Sequence, residues 1–147
     1  MKRFIAIAVM LCALIIIVDV SFNIQQRFQV KISSGATITT VGVSVWTGPE
    51  LTDSLTYIDW ERLEPGENKS FICYVKNEGT TLQTFSLATE NWDPPSASEW
   101  ISLSWNREGT ILDVEESKVA NLTLTVSPLI TNITTFSFDI VITGSGN

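Results

Sequence analysis

From about residue 28 the chain is written in period-two alternation. Phe28, Val30 and Ile32 are separated by Gln29 and Lys31. Val41, Val43 and Val45 share one face of a second run, and Leu55 to Trp60 makes a third. Phe71, Cys73 and Val75 point one way in a fourth that stops at Asn77-Glu78-Gly79. Leu82 to Leu87 follows. Ile101, Leu103 and Trp105 alternate with Ser102 and Ser104, which assigns Trp105 to the core. Leu122, Leu124 and Val126 alternate with threonines and stop before Pro128, and Phe136, Phe138, Ile140 and Ile142 close the pattern. Successive side chains of a strand face opposite ways, so each run offers one apolar face and one polar one. The breaks between runs carry Gly, Pro, Asn and Asp, the residues of turns. Short strands at this spacing predict an all-β fold, an immunoglobulin-like antiparallel β-sandwich of about 7–8 strands. Ser and Thr on the outward positions fit solvated sheet faces.

The first 24 residues follow another rule. Met1-Lys2-Arg3 precedes Phe4 to Val18, a run without a charge or strongly polar group. That is the pattern of an export signal, with the basic end kept inside. Fifteen residues are short for a spanning helix, which needs about 20. Extension to Ile24 reaches that length at the cost of Asp19 near its outer end. No small-x-small cleavage site follows. Residues 1–24 are therefore expected to form one hydrophobic helix, as a signal peptide or a retained signal anchor. Residues 25–147 are expected to form the extracytoplasmic sandwich, anchored in the membrane or secreted to the cell surface.

A turn signal recurs. Leu63-Glu64-Pro65-Gly66-Glu67-Asn68-Lys69 leads into the run Phe71–Val75, and Leu112-Asp113-Val114-Glu115-Glu116-Ser117-Lys118 leads into Asn121–Val126. In the first copy Pro65 fixes φ and Gly66 permits a positive φ. The second copy has neither residue.

Leu63-x-Pro-Gly-Glu67, a strand, Lys76-Asn77-Glu78-Gly79-Thr80 and the later run at residues 122–128 resemble CARDB-like and related Ig-like modules of prokaryotic surface proteins. An N-terminal signal directly followed by such a domain also resembles the TasA and camelysin group, including archaeal members that polymerise into extracellular filaments. In that group the N-terminal strand of one subunit completes the sandwich of the next. The resemblance implies Asn23, Ile24, Phe28, Val30 and Ile32 as the matching donor strand. No evident cleavage site frees it.

Composition narrows the chemistry. The chain has 147 residues, a net charge of −7 and no histidine. Fifteen of its sixteen acidic residues lie beyond residue 23, against seven of its nine basic ones. An acidic surface argues against nucleic acid, which requires clustered Lys and Arg. Without histidine, a Ser-His-Asp or Cys-His nucleophile and the commonest zinc ligand are excluded. Cys12 and Cys73 fall in different segments, so Cys73 is expected to be a lone buried thiol. No catalytic residue, metal ligand or cofactor motif is assigned. Glu90, Asp93 and Glu99, and Asp113, Glu115 and Glu116, match no calcium loop.

Asn68, Asn121 and Asn132 each open an N-x-S/T sequon and are the glycosylation candidates. Asn68 and Asn132 are expected in loops. Trp92 and Trp100 flank Asp93-Pro94-Pro95-Ser96 and are the candidates for binding a partner or a sugar ring. These features point to a non-enzymatic surface protein for assembly or adhesion, whose partners are copies of itself or another surface protein. A tethered module that binds glycan or protein, and an accessory subunit of a membrane complex, are the alternatives.

Overall fold

The computed structural model describes residues 32–146. Nine strands form two sheets: β1 (Ile32–Val41), β2 (Val43–Trp46), β3 (Tyr57–Leu63), β4 (Asn68–Asn77), β5 (Gln83–Asp93), β6 (Ile101–Trp105), β7 (Ile111–Leu112), β8 (Ser117–Val126) and β9 (Thr135–Gly146). A short 3-10 turn, Pro95–Glu99, joins β5 to β6 and buries Ala97. The five-stranded sheet runs β3-β1-β9-β5-β7 and the four-stranded sheet β2-β4-β8-β6. The all-β expectation holds. The segment 1–24, and all of Phe28–Ile32 except its last residue, lie outside the described residues. No helix among the described residues is long and apolar enough to cross a membrane.

The inward positions of both sheets meet in one core. Ile58, Trp60, Phe85, Phe138, Ile140 and Ile142 come from the larger sheet, and Val45, Cys73, Val75, Leu122 and Leu124 from the smaller. All are buried. Their alternation with exposed Ser, Thr and charged residues is the sequence pattern turned into two apolar faces. Trp60 packs edge-on against Phe71, ring centroids 6.3 Å apart at 72°. Trp105 faces inward as expected but is only half-buried, because β6 is an edge strand.

The first strand departs from the reading. Among the described residues it runs from Ile32 to Val41, where the sequence pattern places no strand over residues 33–40, and Val43 begins the next strand after Gly42. The stretch Ser33–Thr40 hides its strand character because Ala36 and Ile38 are its only fully apolar inward side chains, with Ser34 beside them. At Gly35 the Tyr57 ring fills the space a side chain would take. The strand is held by ladders on both sides, antiparallel to β3 and parallel to β9. Two further differences are small. β7, a two-residue strand, carries too little pattern to read. β5 runs on to Asp93 through a bulge at Glu90–Asp93, where Asn91 takes a φ of 51°.

Buried polar groups fix the loops. Asn77 is fully buried. Its Nδ2 donates to the carbonyls of Thr81 and Leu112, at 2.9 and 3.1 Å, and its Oδ1 accepts the Gly79 N–H at 2.8 Å. The motif Asn77-Glu78-Gly79 thus ties the end of β4 to β7. Gln83 lies in a pocket that Gly42, Gly79 and Gly144 keep open, since a Cβ on any of them would meet its amide within 3.0 Å.

Candidate assembly and recognition surfaces

The position of β1 is the first candidate. It is a middle strand, with β3 on one side and β9 on the other, yet no hairpin joins it to either. Its covalent link to the rest of the described chain is Gly42, whose φ of 69° turns the backbone from the larger sheet into β2 of the smaller. Ile32, the last donor-strand candidate, opens β1. Asn23, Ile24, Phe28 and Val30 lie outside the described residues. The Ser33–Thr40 stretch escaped the sequence reading, which joined Val41 to Val43 and Val45 across Gly42; an isolated glycine inside a strand pattern was the available signal of the crossing.

The two candidate tryptophans do not form one platform. Trp92 is half-buried and stacked on Phe138, centroids 4.2 Å apart and planes 11° apart, with Phe136 beyond at 6.2 Å. Its Nε1 donates to Thr89 Oγ1 at 3.3 Å. Its apolar face is therefore spent on packing at the end of the larger sheet. Trp100 lines a shallow pocket of about 190 Å³ with Ser98, Glu99, Ile101, Ser102, Thr125 and Ser127. That pocket opens beside β6 and carries one carboxylate and several hydroxyls.

A third aromatic, Trp46, belongs to a different surface. Strand register puts Trp46 opposite Tyr74 and Tyr74 opposite Val119, on the outer face of the smaller sheet. Ile72, one pair along on that face, is 59% exposed. A charged network borders this row. The Trp46 Nε1 donates to Ser44 Oγ at 2.7 Å, and that hydroxyl donates to Glu78 Oε1 at 2.6 Å. Lys76 bridges Glu78 and Glu115 at 3.4 and 2.5 Å. The hydrogen bond from Ser44, then that from Lys76, hold Glu78 below the ordinary carboxylate range, and Glu115 holds Lys76 above the ordinary lysine value.

The sequons are separated by exposure. Asn68 is exposed but begins β4 rather than lying in a loop, and its partner Ser70 sits 3.4 Å from Thr123, the hydroxyl of the second sequon. Asn121 is half-buried in the middle of β8, and its backbone N–H donates to Asn106 Oδ1. Asn132 is exposed in a loop with a φ of 60°.

No group of three or more His, Cys, Asp or Glu side chains among the described residues could hold a metal ion. Two of the three carboxylates of one acidic cluster are engaged: Glu115 pairs with Lys76, and Glu116 pairs with Lys118 at 2.9 Å and accepts the Asp113 N–H. Cys73 is fully buried, and desolvation raises its thiol to about 12. A thiol so raised is not a thiolate at neutral pH and not a nucleophile. No protein-family model and no curated protein sequence matches the chain.

Proposed function

We propose that this protein is a non-catalytic structural protein of the cell surface, an immunoglobulin-like sandwich that assembles with copies of itself through its N-terminal strand. The observation that carries the reading is the position of β1. A middle strand parallel to β9, with no hairpin to either neighbour and a single glycine to the next element, makes the same backbone bonds whichever copy supplies it. Exchange of such an element between identical chains costs little, because every contact is replaced by its equivalent. Strand addition draws its affinity from main-chain bonds and its register from alternate side chains, here Ala36 and Ile38. The absence of histidine from the sequence supports a role without acid–base or nucleophilic chemistry.

In this reading the hydrophobic segment 1–24 exports the chain, and residues 23–32 extend the donated strand. Glycans at Asn68 and Asn132, the exposed acceptors, belong to the outer surface. The deciding experiment is intact-mass measurement and electron microscopy of the protein released from its own cell surface. Ordered fibres of a species whose N-terminus lies near residues 20–25 are the expected result. A full-length, membrane-retained, non-fibrous species overturns strand donation and leaves a tethered binding or accessory domain.

A further inference from the structure

Two sheets have four edges, and each edge strand offers unpaired backbone groups to other chains unless it is blocked. Three of the four edges are blocked. β2 is covered by its own loop: Thr47 N–H donates to Asp53 C=O at 2.9 Å, Leu55 N–H to Val45 C=O at 2.8 Å, and Trp46 bridges Ser54. β3 carries Asp59, Glu61 and Arg62 and breaks register against β1. Its edge groups are also occupied, since Asp59 Oδ1 takes the Glu61 N–H and Lys69 Nζ donates to the Trp60 carbonyl. β7 is two residues long and covers only Gln83 and Thr84; the rest of that edge, on β5, carries Glu90 and Asp93 and is broken by the bulge at Asn91. The fourth edge, β6, has no such device. Ile101-Ser102-Leu103-Ser104-Trp105 contains no charge, proline or glycine, and among the described residues no strand lies beyond it.

We propose that β6 is a self-association edge, pairing antiparallel with β6 of a second copy about a two-fold axis through Leu103. The hydrogen-bond phase permits it. Ser127 N–H donates to the Trp100 carbonyl and Asn106 N–H to the Asn121 carbonyl, so the even-numbered residues of β6 aim their backbone groups at β8. By the antiparallel alternation, Ile101, Leu103 and Trp105 aim theirs outward. A five-residue strand overlaps its own copy completely in one antiparallel register. In that register Leu103 faces Leu103, Ile101 faces Trp105, and Ser102 faces Ser104. Every outward N–H and C=O of the strand then finds a partner, two bonds to each facing pair.

The side chains agree with that symmetry. Apolar residues oppose apolar ones on the inner face, and hydroxyls oppose hydroxyls on the outer. Glu99 and Arg107 lie at equal spacing in sequence on either side of Leu103, Glu99 at the end of the 3-10 turn and Arg107 in the turn after β6, where its Nε donates to the Val119 carbonyl at 2.6 Å; the axis sets unlike charges at the same ends of the two copies. Neither residue is in an ion pair among the described residues. An interface built by one two-fold buries the same patch on both copies and closes. The result is a continuous eight-stranded sheet formed from two four-stranded ones. This contact is independent of β1, which lies in the other sheet.

The test is the mass of the full-length chain in detergent, by light scattering after size-exclusion chromatography. Ser102 and Ser104 are both exposed on the outer face, so changes there leave the core untouched. The wild-type chain should run as a dimer. Ser102→Asp with Ser104→Asp sets carboxylates opposite each other across the axis and should reduce the mass about twofold, with an unchanged circular dichroism spectrum. Ser102→Asp with Ser104→Lys sets opposite charges across the same pairs and should restore the dimer. A monomeric wild-type chain, a doubly acidic variant that keeps its mass, or two variants that behave alike would each overturn the proposal.

Discussion

Glu115, at a φ of 62°, holds in the turn before β8 the position that Gly66, at a φ of 82°, holds in the turn before β4. The two turns match bond for bond. Glu67 N–H donates to Glu64 C=O at 3.0 Å, and Glu116 N–H to Asp113 C=O at 3.1 Å. The carboxylates of the same two residues reach back, Glu67 to Glu64 N–H at 2.8 Å and Glu116 to Asp113 N–H at 2.9 Å. The strands that leave these turns then pair with each other. The recurrence seen in the sequence is thus one local structure built twice, once with Pro and Gly and once without.

A left-handed residue other than glycine carries a backbone cost, so the second turn is the weaker copy. Glu115→Gly should stabilise the domain by about 0.5–1 kcal/mol. Loss of its surface ion pair with Lys76 offsets only part of this. Gly66→Ala should destabilise by about 1 kcal/mol. Urea midpoints of the two variants, shifting in opposite directions, are the expected outcome. Shifts of the same sign would contradict the equivalence of the turns.

Asn77 joins three backbone groups, two in the loop after β4 and one on β7. Asn77→Ala leaves the Leu112 carbonyl, the Thr81 carbonyl and the Gly79 N–H without the bonds they make now. Stranded buried groups cost about 1–3 kcal/mol each, though the loop ends can recover water. A net loss of about 2–4 kcal/mol is expected by equilibrium denaturation. A loss under about 1 kcal/mol would mean the loop does not depend on this side chain.

Cys73 should resist alkylation by iodoacetamide in the native protein at neutral pH and react fully once unfolded, as read by peptide mass mapping. Its thiol is raised from 9.0 to about 12, so the folded state favours the protonated form. The stabilisation this gives is complete below the unfolded value and disappears as pH rises towards the folded one. Stability should therefore fall between about pH 9 and 12. Cys73→Ala should flatten that alkaline limb. A limb of unchanged slope would assign the loss to other groups.

At the acid end the signs reverse. Hydrogen bonds from Ser44 to Glu78 and from Lys118 to Glu116 hold both carboxylates below their ordinary range. Their contribution is present above about pH 4.5 and is lost as pH falls through the lowered values. Ser44→Ala should move Glu78 back up in an NMR titration and shrink the acid-induced loss. An unmoved Glu78 would assign its shift to Lys76 alone.

Trp92→Ala removes an indole stacked on Phe138 and hydrogen-bonded to Thr89, and about 2–4 kcal/mol should go with it. Trp92→Phe keeps a stacked ring and should recover most of that. Full stability in the alanine variant would show that the packing can spare the ring.

Much of this fold is legible in the pattern of the chain. The core faces of β4, β8 and β9 follow from Phe71, Cys73 and Val75, from Leu122, Leu124 and Val126, and from Phe136 to Ile142, because each repeats an apolar residue at period two. β1 escaped because a strand surrounded on both sides needs few large side chains. Its Ala36 and Ile38 read as part of a Ser/Thr-rich linker, and the filler for Gly35 comes from Tyr57, a residue far along the chain. Trp92 looked like a surface anchor because its loop is rich in proline, whereas its stacking partners lie on β9. The openness of β6 could not be read locally at all. It is a relation among four edges, and which strands are edges follows only from the order of strands in both sheets.

The parallel ladder between β1 and β9 also dictates an order of events. Ser33 faces Thr135 and Val41 faces Thr143, so the earliest described strand meets its longest partner only when the last one has been synthesised. Until then β1 has β3 alone, and the side of β1 that will face β9 stays unsatisfied. Contacts this distant in sequence slow folding and lengthen the time for which unpaired edges are accessible to other chains. Completion of the larger sheet thus waits for β9, and the half-built sheet is the species most open to capture by a neighbour.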